Sequence, residues 1–252
     1  MTIKIGILRA DDIPAELESN FDQYPQMIED LIHAANQARG SEAKALEFKV
    51  YAANLEEYPD HIDEVDGYII TGSKSSVYDS DPWIARLKSF VADLHSRKKK
   101  TVGICFGHQI IASALGGKTE KAAVGWGLGV MPTKLASTAS AKGLWLDKGK
   151  SSINLLYSHQ DQVCLPAPGS ALLASTDICP AAIIGIDKHI LSFQGHPEFS
   201  HDYARALYTL REQKYPPQIY KNAMASLQEQ EQEQEQEHGA LVANWIIDFL
   251  AQ

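Results

Sequence analysis

Three residues of this chain are of the types, and at the spacings, that nucleophilic acyl chemistry requires. Cys105 lies in Gly103-Ile104-Cys105-Phe106-Gly107, and far downstream His196 and Glu198 lie in Gly195-His196-Pro197-Glu198. A thiol with glycines two residues to either side is the sulfur counterpart of the strand-to-helix elbow that exposes a serine nucleophile in other hydrolytic enzymes. A helix starting behind it draws negative charge toward the sulfur through its dipole and free N–H groups, and the N–H of Phe106 would face an adjacent oxyanion. Pro197 keeps His196 out of the helical region, so that His196 and Glu198, two apart in an extended segment, project to the same side. That spacing suits a base and the carboxylate that orients it. Taken singly, a cysteine among apolar residues is ordinarily a small buried hydrophobe, and a histidine beside a proline ordinarily a loop residue. The two motifs together point to a nucleophile, its base and the base's partner.

The surrounding pattern predicts the elements that must position them. Lys98 to Lys100 give way to the apolar Val102 and Ile104, and Ile110, Ile111, Ala114 and Leu115 recur at helical spacing before Gly116 and Gly117. A buried strand therefore turns into a helix at Cys105. Ile3, Ile5 and Ile7 predict a first strand, and residues 24–38, with Met27, Ile28, Leu31, Ile32 and Ala35 on one side, its covering helix. Residues 46–51 and 66–72 predict two further strands, and Asp81 and Pro82 supply a cap and a first-turn proline for a helix buried through Ile84, Leu87, Phe90, Val91 and Leu94. This alternation implies an α/β fold with a doubly wound, mostly parallel sheet flanked by helices, and places Cys105 at the carboxyl end of the fourth strand, where such sheets carry their chemistry. The polar stretch 9–25 either folds over that site or decorates the surface.

Beyond a second apolar run at 181–186 and a turn at 187–189 comes the histidine motif, then a helix over 199–214 that Tyr215-Pro216-Pro217 breaks. Residues 228–237 are a low-complexity insertion of alternating Gln and Glu, a solvated helix or a flexible loop, and residues 240–250 form a terminal amphipathic helix.

The 252 residues, 44% hydrophobic and 22% charged, suit one α/β domain over 1–252 with one sizeable core. A formal charge of −9 argues against nucleic-acid and anionic-membrane partners, which need a basic face. Three cysteines, Cys105, Cys164 and Cys179, have neither a disulfide framework nor zinc-site spacing, so a reducing cytoplasm is the expected compartment. No apolar run has the length of a membrane span.

Gly-Ile-Cys-Phe-Gly-His-Gln, with Gln-Gly-His-Pro-Glu downstream, resembles the class I (triad) glutamine amidotransferases, and is close to the amidotransferase domain of GMP synthetase, over most of residues 1–200. The resemblance implies a flavodoxin-like amidotransferase fold with a small second sheet region. It makes Cys105 the nucleophile, His196 the base and Glu198 its orienting partner in releasing ammonia from glutamine through a γ-glutamyl thioester, without metal or organic cofactor. Backbone N–H groups of Ser73 and Phe106 would form the oxyanion hole. The family loop there is Gly-Gly-Pro or Gly-Pro-Gly, from which Ser73-Lys74 departs, and a plain polar turn is the other reading of Ser73. Gln109 matches a position that contacts the substrate amino acid, and residues 122–135 and 153–163 resemble the second sheet region, where Ser158 and His159 lie near bound glutamine. His159 and Asp161 are expected to share a structural hydrogen bond, and His108 to stabilise the elbow.

Three functions follow from this resemblance. One is glutamine hydrolysis that supplies ammonia to an unknown acceptor on a separate synthetase subunit, since the chain has no phosphate-binding glycine loop and no length for an ATP-using domain. The second is a γ-glutamyl peptidase acting on glutathione-like compounds. The third, an inactive binding or regulatory module, would show a missing nucleophile, base or elbow glycine, and all are present.

Overall fold

Alternating and fully apolar segments become strands in the order that the sequence pattern predicts, in a computed structural model that describes residues 2–136, 150–232 and 237–252. The first half of the chain runs β1 (Thr2–Leu8), α1 (Tyr24–Ala38), β2 (Ala45–Tyr51), β3 (Gly67–Ile70), α2 (Pro82–Ser96), β4 (Lys100–Ile104) and α3 (Phe106–Ala114). The strands β5 (Lys118–Lys121), β6 (Gly127–Leu135), β7 (Ser152–His159), β8 (Asp161–Leu165), β9 (Ser170–Ser175), β10 (Ile183–Ile186) and β11 (Ile190–Phe193) follow. The helices α4 (His201–Leu210), α5 (Pro217–Gln232) and α6 (Glu237–Leu250) complete the fold.

Nine strands form one sheet in the order β2-β1-β3-β4-β11-β10-β9-β6-β7. Its first five strands are mutually parallel, and the remainder are added antiparallel. β3 and β11 are buried along their whole length, as parallel strands covered on both faces must be. On one face Ile3, Ile5 and Ile7 pack with Ile28 and Ile32 of α1 and with Val242, Ile246 and Phe249 of α6. On the other, Leu8 and Ile70 pack with Ile84, Leu87 and Val91 of α2 and Ile110 and Ile111 of α3. A third, aromatic cluster, including Tyr24, Phe199, Tyr203, Tyr208 and Tyr215, lies beneath α4 and α5.

Register brings the site together. Ile70 of β3 pairs with Gly103 of β4, and Ile104 of β4 with Phe193 of β11, so the chain leaves the sheet at Thr71, Cys105 and Gln194 side by side. Gly103 and Gly107 let α3 lie directly on these strands. A Cβ on Gly103 would come 2.6 Å from the Gly107 carbonyl carbon, and one on Gly107 would fall on the Ile70 carbonyl oxygen.

Several expectations change in detail. The strands of 127–135 and 152–159 extend the main sheet, while the small second sheet consists of β5 and β8 alone. A local pattern marks a strand but not its partner. Asp81 stands at the N-cap of α2 without a side-chain cap bond. The helix expected over 199–214 is α4 plus a 3-10 turn, Glu212–Lys214, because Ser200 caps α4 by accepting from the Tyr203 N–H at 3.1 Å. The Gln/Glu run is helical as far as Gln232 and from Glu237 onward, and residues 233–236 lie outside the described residues.

Gly107→Ala should lower the unfolding free energy by about 3 kcal/mol in urea titrations, since the contact it overfills is backbone rather than a movable side chain. An unchanged midpoint would mean that α3 can back away from β3 at no cost.

Candidate active site

Cys105 bridges β4 and α3 with φ 51° and ψ −101°, a left-handed conformation that non-glycine residues adopt at a cost of about 1–3 kcal/mol. The surroundings hold it there. Its N–H donates to the Phe193 carbonyl at 2.8 Å, and its carbonyl accepts from the Gln109 N–H at 3.0 Å, so the strained residue is pinned between β11 and the first turn of α3. The expected elbow is present, with the cysteine side chain almost wholly buried.

His196 lies on the neighbouring segment, where its N–H donates to the Leu156 carbonyl of β7 at 2.7 Å. Its Nδ1 is 2.8 Å from Glu198 Oε1, and the Glu198 side chain is 1% exposed. The ring stacks on Phe199 with centroids 3.9 Å apart and planes 11° from parallel. With Nδ1 engaged by Glu198, Nε2 is the ring nitrogen left for the neighbouring Cys105 thiol. Burial alone would weaken the hold of His196 on a proton, but the Glu198 carboxylate and the Cys105 sulfur outweigh it and raise its pKa well above 6.5. Gly72 closes the other side, since a Cβ there would lie 3.2 Å from His196 Cε1.

The loop after β3 is braced by the segment after β1. Thr71 Oγ1 accepts from the Ala10 N–H at 2.9 Å, and Asp11 accepts from the Lys74 N–H at 2.9 Å and from Lys74 Nζ at 3.1 Å. Asp11 thus supplies by hydrogen bonding the constraint that glycine and proline would supply by backbone preference. This part of the 9–25 stretch is structural support rather than decoration. Ser73 Oγ accepts from the Ser75 N–H at 3.1 Å, and the N–H groups of Ser73 and Phe106 have no hydrogen-bond partner among the described residues.

The remaining candidates divide. Gln109 is buried, and its Nε2 donates to the Asp161 carbonyl at 2.7 Å and to Gln194 Oε1 at 3.1 Å. His159 is also buried; burial lowers its pKa to about 4, and as a neutral ring it donates from Nδ1 to the Asp161 carbonyl at 3.0 Å. The expected His159–Asp161 bond therefore forms through the main chain. The Asp161 carboxylate instead accepts from Ser76 Oγ at 2.6 Å and from the Tyr78 hydroxyl at 3.0 Å. Ser158 stands apart from the others, its hydroxyl against Tyr215 in the aromatic cluster. His108 ties the elbow helix to β11 through Ser192 Oγ at 2.9 Å, and burial lowers its pKa to about 3.

Sequence reasoning missed Asp11, Ser76, Tyr78, Phe199 and Gln194. Only Gln194 carried a signal, as an amide directly after the run Ile190–Phe193 and within the histidine motif. Among the described residues no group of three or more His, Cys, Asp or Glu could hold a metal ion, and no helix is long and apolar enough to cross a membrane.

A cysteine elbow faced by a buried His–Glu pair thus stands at the carboxyl edge of a doubly wound α/β sheet. The model of the family described as glutamine amidotransferase class-I matches residues 20–213, and the chain belongs to that family. A glutamine amidotransferase-like protein of Schizosaccharomyces pombe is 35% identical over 206 residues, covering 79% of this chain and 81% of its own. γ-Glutamyl peptidase 2 of Arabidopsis thaliana is 32% identical over 146 residues, 57% of this chain and 58% of its own. The solved structure of a glutamine amidotransferase from Thermotoga maritima has a TM-score of 0.74 at 12% identity, with 99% of each chain covered, and shares the fold.

The buried histidines make stability depend on pH in both directions. His108 and His159 are neutral in the fold, so their contribution is whole above about 6.5 and is lost as pH falls toward their depressed values. His196 is held charged, so its contribution is whole below about 6.5 and is lost as pH rises through its raised value. The melting temperature should therefore be highest near neutrality, and Glu198→Gln should flatten its alkaline fall while leaving the acid fall in place. Parallel alkaline limbs in the two proteins would remove Glu198 as the cause.

Proposed function

We propose that this chain hydrolyses γ-glutamyl amide bonds through a thioester on Cys105, with glutamine as donor and ammonia as the released amine. The observation that carries this reading is the buried His196, bonded to Glu198 through Nδ1 at 2.8 Å, with Glu198 and the neighbouring Cys105 together raising its pKa.

In this mechanism the thiol proton already rests on His196 Nε2, and the Cys105 thiolate attacks the γ-carbonyl carbon. The oxyanion is received by the N–H groups of Ser73 and Phe106, and loss of one such donor typically costs ~3 kcal/mol of transition-state stabilisation. Collapse breaks the C–N bond, and the imidazolium gives its proton to the departing nitrogen. A water that loses its proton to His196 then attacks the thioester. Glutamate leaves as the sulfur is expelled as thiolate, and the His196 imidazolium beside it is restored. Glu198 keeps Nδ1 engaged throughout, so that only Nε2 exchanges protons with the reactants. Gln109 and His159, which converge on Asp161, are the proposed contacts to the glutamyl moiety, and Ser158, set against Tyr215 in the aromatic cluster, is not among them. The ammonia would pass to an acceptor on a separate synthetase subunit. The three cysteines are all free, which fits the cytoplasm as the proposed location.

A second reading is favoured by the likeness to γ-glutamyl peptidase 2. The acyl-enzyme would be the same, and the leaving amine would be the remainder of a γ-glutamyl peptide instead of ammonia.

Incubation of the purified chain with glutamine and, separately, with glutathione, following glutamate, ammonia and cysteinylglycine, distinguishes the two. Glutaminase activity abolished by Cys105→Ala is expected. Hydrolysis of glutathione well above that of glutamine would replace the first reading by the second, and activity that survives Cys105→Ala would overturn both.

A further inference from the structure

The side-chain amides of Gln109 and Gln194 are almost wholly buried, and that of Gln194 ends against the Cys105 sulfur. Their orientation follows from partners that can only accept. The Asp161 carbonyl oxygen lies 2.7 Å from the Gln109 amide, and a carbonyl cannot donate, so the Gln109 NH2 group must face it. That NH2 group also lies 3.1 Å from the Gln194 amide, which must therefore present its oxygen there. The Gln194 NH2 group is left facing the Cys105 sulfur at 3.7 Å. The relay thus begins on a main-chain atom held by β8 and ends on the reacting thiol, with the polarity of every link determined by its first acceptor.

We propose that Gln194 is a positioning residue for the nucleophile. Its amide, aimed by Gln109 and the Asp161 carbonyl, donates a hydrogen bond to Cys105 Sγ and steadies the negative sulfur once its proton has passed to His196. The inference rests on the reading of Cys105 as nucleophile. It gives Gln109 a second task beside the substrate contact that the resemblance implies, and it explains a fully buried glutamine at the end of an otherwise apolar strand. A donor facing the charged form of a thiol favours that form, whereas an apolar or accepting group in the same place does not.

The test needs no substrate. Alkylation of Cys105 by iodoacetamide is followed against pH by mass spectrometry of its peptide, with the exposed Cys164 as the reference thiol in the same sample. Wild-type chain is compared with Gln194→Met, which keeps length without a donor, Gln194→Glu, which keeps shape but presents an acceptor, and Gln109→Met, which leaves Gln194 free to turn. In Gln194→Met the pH of half-maximal Cys105 alkylation should rise by about one unit, roughly tenfold slower reaction below that midpoint. Gln194→Glu should shift it further and Gln109→Met less, with Cys164 unchanged in all. A purely structural role would lower the melting temperature and leave the alkylation midpoint where it is. Folded variants with wild-type midpoints overturn the relay, and Gln109→Met decides the matter if both Gln194 variants fail to fold. A wild-type Cys105 no more reactive than Cys164 overturns the nucleophile reading itself.

Discussion

Three neighbouring parallel strands end level with one another, and the rest of the molecule is arranged around that register. Because Ile70 faces Gly103 and Ile104 faces Phe193, a main-chain loop, a thiol and a buried amide emerge from β3, β4 and β11 at one edge. Slipping any of these strands by one residue would turn its side chains to the opposite face and dismantle the site. The same register brings Gly107 against the Ile70 carbonyl, which is why α3 can begin directly at the cysteine. The left-handed backbone of Cys105 is tolerated because β11 takes its N–H and α3 takes its carbonyl.

Counter-charge, rather than burial, separates the histidines of this site. His108, His159 and His196 are all buried, yet the first two have pKa values pushed down to about 3 and 4 while that of the third is raised. Beside His108 stands the neutral hydroxyl of Ser192, and beside His159 the carbonyl of Asp161. His196 faces a carboxylate on one nitrogen and the thiol on the other. Desolvation penalises all three imidazolium forms, and only His196 has neighbours that offset it. Of the three, His196 therefore alone keeps a strong hold on a proton, while the other two serve as neutral hydrogen-bonding struts.

What was legible in the sequence was whatever local chemistry dictates. The bounds of α1 follow from its apolar stripe and its early proline, the elbow from glycines about a cysteine, and the His196–Glu198 contact from a proline that forces an extended step. Partners chosen over long distances were not legible. The segments of β6 and β7 were placed by resemblance in a second sheet region, but among the described residues β6 joins the main sheet through the pairs Lys134–Ser175 and Leu135–Ala174 and the Ala136 N–H on the Leu173 carbonyl, a short contact that no periodicity marks. Asp11 was one acid in a polar loop, and only the fold shows that it braces Lys74. Gln109 could be placed on the helix behind the nucleophile, but its amide partners come from β8 and from the end of β11.

The small second sheet then acquires a physical purpose. Pairing of β5 with β8 sets Lys121 opposite Asp161, so the strand that follows α3 holds in place a residue contacted from two directions. The Asp161 carboxylate takes Ser76 and Tyr78 from the segment that continues the Ser73 loop, while its carbonyl takes Gln109 from the helix that carries the nucleophile. Movement of Asp161 would loosen the loop that carries Ser73 and the Gln109–Gln194 amide pair together, because each hydrogen bond it accepts restrains a different wall of the same site. A two-stranded sheet attached beside a nine-stranded one is, on this argument, the splint that keeps those walls at a constant separation.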